Sequence, residues 1–241
     1  MNGTSWMITR TLLRRTLPIA GWYWLVLLLA WAVVIGSIAY FGTIEASMWR
    51  NIGLQSPRWF SFVFGIIAIG TYLPMFVAQG VTRRAALLGS WGYFVPYAVI
   101  YAAMTTVGFG VEYLTFDILG VLGQLHEPYL VGSVADALRI FVEHSLVNLG
   151  YMMAGALCAV GYYQLSGWWA TLLLPLMFLP AAGVETAFRT EWSGFVIARA
   201  LGLAEEPSFG PAVLLAVLAI VTSAVVSWLS VRRLPLTKIS G

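Results

Sequence analysis

Long apolar runs without charged residues decide what this chain can fold into. We find six such runs, each close to or above the ~20 residues that an α-helix needs to cross the ~30 Å hydrocarbon core of a bilayer. Lipid cannot satisfy an unpaired backbone N–H or C=O group, so a run that crosses the bilayer must be helical. The sequence therefore predicts an all-α, polytopic membrane protein with six transmembrane helices near residues 17–41, 59–81, 85–111, 146–163, 168–184 and 209–231.

The composition excludes a soluble globule. Of the 241 residues, 60% are hydrophobic and only 10% are charged, whereas about a quarter of the residues are charged in a typical soluble domain. Six spans leave only short loops, so we expect one transmembrane domain, residues 1–241, with no separate catalytic domain and no nucleic-acid partner. The single cysteine, Cys158, excludes an internal disulfide and a cysteine-based metal cluster.

The first apolar run follows Arg10, Arg14 and Arg15. Its length exceeds the about 7–15 apolar residues of a secretory signal peptide and no A-x-A cleavage motif follows, so we expect it to remain as a span. Residues 6–15 carry apolar and basic side chains at helical spacing. This stretch predicts a short amphipathic helix on the inner leaflet, with its arginines toward anionic headgroups, or alternatively a basic tail that only sets the orientation.

The distribution of charge predicts the orientation. If the N-terminus is cytoplasmic, six crossings return the C-terminus to the cytoplasm. The cytoplasmic side then carries eight of the 13 Lys and Arg residues and none of the 10 Asp and Glu residues: Arg10, Arg14, Arg15, Arg83, Arg84, Arg232, Arg233 and Lys238. An excess of Lys and Arg in short cytoplasmic loops is what sets the orientation of membrane proteins.

The six runs contain no Asp, Glu, Lys, Arg or His. Transporters driven by protons or ions commonly place ionisable groups within the membrane, and a charged pore needs rings of them. A G-x-x-x-x-G-K-[ST] phosphate loop is also missing, so we expect this chain to bind no ATP by that route and no other cofactor. We therefore predict that it is not an enzyme, and that any transport is energised by a partner.

The segment between the second and third runs offers a surface to such a partner. Gly80 can end the second helix, Thr82 can cap a short new helix, and Arg83 and Arg84 then project into water. A guanidinium bonds carboxylates and backbone carbonyls at the same time, which suits a protein contact. The alternative is that both arginines are only positive-inside anchors.

Together these features resemble the ATP-binding-cassette permeases of the type-2 exporter class. The resemblance rests on the string Gly80-Val81-Thr82-Arg83-Arg84, the amphipathic N-terminal segment, six spans with both ends inside, and a closing Arg232-Arg233-Leu234-Pro235.

The resemblance implies that Gly80, Thr82, Arg83 and Arg84 couple the chain to a separate nucleotide-binding ATPase subunit, which holds ATP and Mg. It also implies a dimer with a second permease copy or a related chain in a bacterial inner membrane. With no charge in the spans, the expected cargo is hydrophobic or amphiphilic, such as a drug, a peptide antibiotic or a lipid. Members of this class also have short helices after span five, and Glu185 and Arg189 fit such a helix. The long connection 112–142 departs from a compact member of the class.

Further residues are candidates for a pathway or for helix packing. Tyr93, Tyr97 and Tyr101 share one helical face and, with Tyr72, could line a route for an amphiphile; packing between helices is the alternative. Small residues in the fourth run permit close helix contact within the chain or in a dimer: Gly150, Ala154, Gly155 and Gly161. Kinks or breaks are expected at four prolines: Pro74, Pro96, Pro175 and Pro180.

Two alternative functions remain open from the sequence. An intramembrane metal-dependent hydrolase or protease would use His126, Glu143 and His144, although H-E-x-x-H is missing from the sequence. A non-transporting membrane assembly or immunity protein would bind a partner without turning over a substrate.

Overall fold

The computed structural model describes residues 3–125, 131–165, 167–203 and 208–232, and within these ranges the chain is helical with short connections and no β-strand. The long helices are α1 (Gly3–Phe41), α2 (Met48–Ile67), α4 (Arg83–Leu119), α5 (Val134–Gln164) and α10 (Phe209–Val231). The short helices are α3 (Leu73–Ala78), α6 (Gly167–Leu172), α7 (Leu174–Met177), α8 (Leu179–Phe188) and α9 (Glu191–Ala200). A π-helical turn (Ala68–Tyr72) joins α2 to α3, and a 3₁₀ turn (Leu122–Gln124) follows α4.

Five helical segments in the described part are long and apolar enough to cross a membrane: Gly3–Phe41, Met48–Ala78, Arg83–Leu119, Val134–Gln164 and Phe209–Val231. They include four of the six predicted runs in full and most of the second run, 59–81, so the prediction of an all-α, multi-pass membrane protein is confirmed at that level. Helix α10 matches the sixth predicted run, 209–231. The others begin earlier or end later than predicted, because helix caps and polar turns extend the apolar runs.

The predicted short N-terminal helix is not a separate element. Residues 3–41 form one helix of 39 residues, about 58 Å long. Ile8, Leu12, Thr16 and Ala20 are buried at every fourth position, so the packed stripe continues without a break from the basic segment into the apolar run. The arginines of this segment therefore lie in the first spanning helix, on the N-terminal side of its apolar run.

Prolines interrupt the fifth predicted run. Residues 168–184 were expected to form one span, but they are divided among α6, α7 and α8, of which the longest has 10 residues. Pro175 and Pro180 stand at the first turns of α7 and α8, where a residue without an N–H group is tolerated while it ends the helix before it. Pro74 likewise begins α3 after the π-helical turn, whereas Pro96 lies inside an unbroken α4.

The interrupted segment still runs alongside α5 in the opposite direction. The hydroxyl of Tyr162, near the end of α5, lies 3.0 Å from that of Thr171 in α6. In the middle of α5, Gly150 packs against Val184 of α8. The three short helices thus extend from one end of α5 towards the other. After them, α9 folds back so that Gly194 contacts the backbone of Glu185. Glu185 and Arg189 do not share a separate short helix, since Glu185 lies in α8 and Arg189 ends it with a φ of 56°.

The long connection expected at 112–142 is mostly helical. α4 continues to Leu119, where Gly120 caps it with a φ of 68°, and α5 begins at Val134. Val134 and Leu138 are exposed on the first turns of α5. Both helices therefore extend beyond their apolar runs.

Close helix contacts form within this chain. A β-carbon on Gly155 of α5 would lie 2.1 Å from the backbone oxygen of Phe62, and one on Gly65 of α2 would lie 2.1 Å from that of Met152. Only glycine allows two backbones to approach so closely. The small residues of the fourth run therefore serve packing inside the subunit.

Antiparallel packing gives the bundle two chemically different ends. The beginnings of α1 and α4 meet the ends of α3, α5 and α10 at one end, which we call the basic end. Its six arginines are Arg10, Arg14, Arg15, Arg83, Arg84 and Arg232. At the opposite end, Arg139 of α5 lies over the ring of Phe209 at the beginning of α10. We call this the polar end, and all the acidic residues whose side chains the structure describes lie in this half of the bundle.

Candidate functional site

The segment between α3 and α4 has the geometry that its residues predict. Gly80 adopts a φ of 87°, a left-handed conformation that glycine takes without strain. The hydroxyl of Thr82 accepts a hydrogen bond from the backbone N–H of Ala85 at 3.3 Å, so Thr82 caps α4. The capped helix is not the short one that was expected: Arg83 and Arg84 occupy the first turn of a helix that continues to Leu119.

The beginning of α1 is fixed to the beginning of α4. The Thr9 hydroxyl donates to the carbonyl oxygen of Gly89 at 2.8 Å, and both groups are buried. A β-carbon on Gly89 would lie 2.7 Å from the β-carbon of Ile8. In the sequence, the N-terminal segment and residues 80–84, which we call the hinge, are separate candidates. The structure brings them together as one packed unit.

Arginines from distant parts of the chain share one tryptophan at the basic end. The guanidinium carbons of Arg84 and Arg232 lie 5.9 Å and 4.6 Å from the ring centre of Trp228, within the range of cation–π attraction. Between α4 and α10 they border a cavity of about 150 Å³. Arg15 similarly lies over Tyr72, at 5.8 Å.

The basic end is therefore a cationic surface built by the beginnings of α1 and α4 and the end of α10. Five of its six arginines are exposed and Arg83 is half-buried. No acidic residue lies among the described residues of this surface. Arg233, Leu234, Pro235 and Lys238, which the sequence adds to it, lie outside the described residues.

At the polar end, Glu112 is fully buried between α1, α2 and α4. One carboxylate oxygen accepts the Trp31 indole N–H at 3.0 Å and the backbone N–H of Trp49 at 2.9 Å. The other accepts the hydroxyl of Ser47, the residue that caps α2. A carboxylate can be buried when several donors satisfy it. Glu112 thus fixes the loop between α1 and α2 to α4.

A second buried network joins α2, α5 and α8. Arg58 donates to Glu185 at 3.1 Å, and both side chains are at most 3% exposed. The hydroxyl of Tyr151 donates to the same carboxylate oxygen, and the Arg58 Nε–H donates to the carbonyl of Leu54 at 3.0 Å.

These networks correct the expectation that the spans contain no ionisable groups. In the sequence Arg58, Glu112 and Glu185 each lie just beyond an apolar run, outside the predicted spans. The structure places Arg58 in α2 and Glu112 in α4, which extend beyond those runs, and Glu185 in α8, which continues past residue 184. They are buried because their partners come from other helices, which satisfies each charge.

A cavity of about 560 Å³ opens beside the Arg58–Glu185 pair, between the faces of α2 and α5. We call it the polar cavity. Leu54, Phe109 and Ile140 contribute its apolar wall. Charged and polar side chains line the rest: Arg50, Asn51, Gln55, Arg58, Asp136, Arg139, Glu143, His144, Arg189 and Thr190.

His144 and Glu143, which the hydrolase alternative requires, both line the polar cavity. Nδ1 of His144 lies 3.0 Å from the carbonyl oxygen of Ile140. The third residue of that alternative, His126, lies outside the described residues. Within the described part, no group of three or more His, Cys, Asp or Glu side chains is placed to hold a metal ion.

The tyrosines proposed for a pathway are packed in the core. Tyr93, Tyr97 and Tyr101 are at most 1% exposed, and the rings of Tyr97 and Tyr101 stack at 4.4 Å. Tyr101 also stacks on Tyr23 of α1 at 5.6 Å. These three rings pack between helices, whereas Tyr72 is half-buried beneath Arg15. A role of the four tyrosines in a pathway stays a prediction.

A groove of about 500 Å³ lies beside the π-helical turn, between α2, α5 and α7. Phe62, Ile66, Ala159 and Leu174 give it an apolar lining. The hydroxyl of Tyr163 donates to the carbonyl of Gly70 in the π-helical turn. A π-helical turn leaves such a carbonyl without its usual partner, so the groove combines an apolar wall with an irregular helix.

The sequence left Arg58 and Glu185 out of the candidate sites. Arg58 lies just before the predicted run 59–81, but Ser47 caps α2 eleven residues upstream of it and the helix continues through Pro57. The Ser47 cap is a signal in the sequence that could have extended the second span. Comparisons of the chain with protein-family models, with curated proteins and with solved structures found no match.

Proposed function

We propose that this chain is the membrane-spanning subunit of an ATP-driven exporter, with six crossings and both termini in the cytoplasm of a bacterial cell. A separate nucleotide-binding subunit would bind ATP and Mg and dock on the basic end. A second copy, or a related chain, would complete the path for a hydrophobic or amphiphilic cargo. The observation that carries the proposal is the joining of the hinge and the N-terminal segment into one basic surface.

The separation of charge supports the orientation. Arginines without acidic neighbours collect at the basic end, and Lys and Arg near the ends of spans favour the cytoplasm. A soluble subunit that docks on the protein from the cytoplasm would meet this end. The carboxylates, in the opposite half, would then face the exterior side.

The path of residues 167–188 supports a sixth crossing. These residues run antiparallel to α5 through α6, α7 and α8. If they were helical throughout, they would extend about 33 Å, enough for the ~30 Å hydrocarbon core. Broken helices occur within membranes where neighbouring protein covers their free backbone groups, and α5 and α10 pack against α8.

The rigidity of the hinge supports a coupling role. The residues between α3 and α4 are held by the Gly80 turn and the Thr82 cap, and the Thr9–Gly89 hydrogen bond attaches α1 to the same place. A displacement of Arg83 and Arg84 would therefore move α1, α3 and α4 together. In this proposal, ATP binding closes the ATPase pair and shifts these helices, which exposes the path outward.

The groove beside the π-helical turn supports an amphiphilic cargo. Its apolar wall suits a hydrocarbon segment, and it lies in the half of the bundle nearer the basic end. The polar cavity occupies the other half. The apolar part of an amphiphile would be complementary to the groove, and its polar part would be complementary to the polar cavity.

The docking of the ATPase can be tested by affinity purification. The tagged chain, purified from the membrane of its own organism, should bring with it a soluble ATPase with a phosphate-loop motif, identified by mass spectrometry. The double variant Arg83→Glu/Arg84→Glu should lose it by at least tenfold, with an unchanged melting temperature. The matched control is Arg199→Glu, which reverses an exposed charge on α9.

Three outcomes separate the alternatives. Retention of the ATPase by the double variant, or transport by the purified chain alone, would overturn the proposal. An activity that needs no ATPase and is lost on Glu143→Gln or His144→Phe would instead indicate a hydrolase. A co-purifying partner whose ATP hydrolysis no cargo stimulates would indicate an assembly or immunity protein.

A further inference from the structure

The polar cavity has the size of a small-molecule site and carries both signs of charge. Its volume of about 560 Å³ lies within the roughly 300–1,000 Å³ of ligand pockets. On α5, Asp136, Arg139, Glu143 and His144 share one face at helical spacing and all line the cavity. On α2, Arg50 and its neighbours line the opposite wall.

His144 lines this cavity and carries a buried hydrogen-bond acceptor that no described residue satisfies. The side chain is 5% exposed, and its Nδ1 must donate to the carbonyl of Ile140, since a carbonyl oxygen can only accept. The neutral ring then carries a lone pair on Nε2. Among the described residues Nε2 has no hydrogen-bond partner.

Glu143 places a second acceptor next to the first. Its carboxylate lines the same cavity, and no donor among the described residues bonds to it. A carboxylate and an imidazole lone pair on one wall call for a cationic group with several N–H bonds. A primary ammonium has three donors and no acceptor, as the lysine side chain shows.

Arg139 offers a binding group for an anion near the two acceptors. It precedes Glu143 by one helical turn, or about 6 Å along the helix, and its side chain is exposed at the beginning of α5. A guanidinium matches the oxygens of a phosphate or carboxylate. Asp136 and Glu143 lie within one turn of Arg139 and interact with it electrostatically, but the arginines that line the cavity outnumber these two carboxylates by four to two. A plain amine would add to this excess of positive charge, and a plain anion would leave the acceptors of Glu143 and His144 unsatisfied.

We propose that the polar cavity binds a zwitterion that carries a primary ammonium and, about 6 Å from it, a phosphate or a carboxylate. The ammonium lies at Glu143 and His144, and the anionic group lies toward Arg139. The identification of this zwitterion as part of the cargo rests on the proposed exporter function, because the zwitterion would be the polar part of the amphiphile. The binding of the zwitterion to the cavity does not depend on that function.

The test is calorimetric titration of the detergent-purified chain with matched probes. O-Phosphoethanolamine should bind at least tenfold more tightly than phosphocholine, whose methyl groups remove the N–H donors, and more tightly than inorganic phosphate. Triglycine carries the same charges as a free peptide. Preference for phosphoethanolamine indicates a lipid headgroup as the source, and preference for triglycine indicates a peptide; either outcome supports the zwitterion.

Variants locate the site. Glu143→Gln and Arg139→Gln should each weaken binding of the preferred probe by tenfold or more, and Glu143→Gln should also reduce its preference over phosphocholine. Asp117→Asn and Arg199→Gln change exposed charges at the same end and should bind normally. Equal binding of phosphoethanolamine and phosphocholine together with no binding of triglycine, binding of none of the probes, or undiminished binding by Glu143→Gln would overturn the proposal. None of these outcomes involves the ATPase, so the docking experiment stands or fails separately.

Discussion

Arg58 and Glu185 form a buried ion pair of 3.1 Å although 127 positions separate them in the sequence. The pair joins α2 to α8 and lies at the wall of the polar cavity. Arg58 follows Met48 by ten residues, which places it about 15 Å along its helix, and its side chain is only 1% exposed. Each charge therefore depends on the other for its solvation.

We expect Glu185→Gln to lower the free energy of unfolding by roughly 3–5 kcal/mol, since the guanidinium of Arg58 loses its carboxylate while it stays buried. The glutamine oxygen can still accept from Tyr151, so the substitution isolates the charge. Thermal unfolding in detergent measures the effect. Arg58→Met/Glu185→Gln should regain part of the loss, and a double variant less stable than Glu185→Gln would contradict this account.

We expect the substitution Glu112→Gln to destabilise the protein. Its two oxygens accept three hydrogen bonds, from Trp31, Ser47 and the backbone of Trp49. In Glu112→Gln one oxygen becomes an NH₂ group that faces donors, so we expect a loss of about 1–3 kcal/mol. Melting curves followed by tryptophan fluorescence would show a lower midpoint, whereas Asp117→Asn, an exposed change on the same helix, should melt like the parent protein.

The sequence predicts the apolar part of each helix well and its polar extension poorly. The run 209–231 coincides with α10 because polar residues flank it on both sides. Other runs continue into segments whose polar side chains are satisfied only by distant partners, as Arg58 is by Glu185. Hydrophobic periodicity within one segment contains no information about such a partner.

The lack of information about distant partners also explains which parts of the candidate sites the sequence predicts. Gly80 and Thr82 act through their own backbone and the next turn, so their geometry follows from local sequence. The polar cavity instead depends on which faces of α2 and α5 meet, and close approach at Gly65 and Gly155 decides that. Glu143 and His144 were noticed as a pair, but their arginine neighbours could not be assigned to them without the fold.

That close approach predicts a large effect from one methyl group. A β-carbon on Gly155 would lie 2.1 Å from the backbone oxygen of Phe62, and a backbone atom cannot move aside as a flexible side chain can. We expect Gly155→Ala to destabilise the protein by at least about 1–3 kcal/mol in a thermal melt. On α4, Gly110 has no atom near the position of a β-carbon, so Gly110→Ala should leave the midpoint unchanged or raise it slightly.

The six-crossing topology can be read by labelling single cysteines, since Cys158 is the one cysteine of the chain and can be replaced by alanine. In that background, cysteines at the exposed positions Gln79 and Asp117 mark the basic and polar ends. A membrane-impermeant maleimide applied to intact cells should label Asp117→Cys and should reach Gln79→Cys only after the membrane is opened. If residues 167–188 cross the membrane, Leu165→Cys should behave like Gln79→Cys, and Leu203→Cys like Asp117→Cys. Labelling of Leu165→Cys and Leu203→Cys from the same side would reduce the crossings to five, and would place the two termini on opposite sides of the membrane.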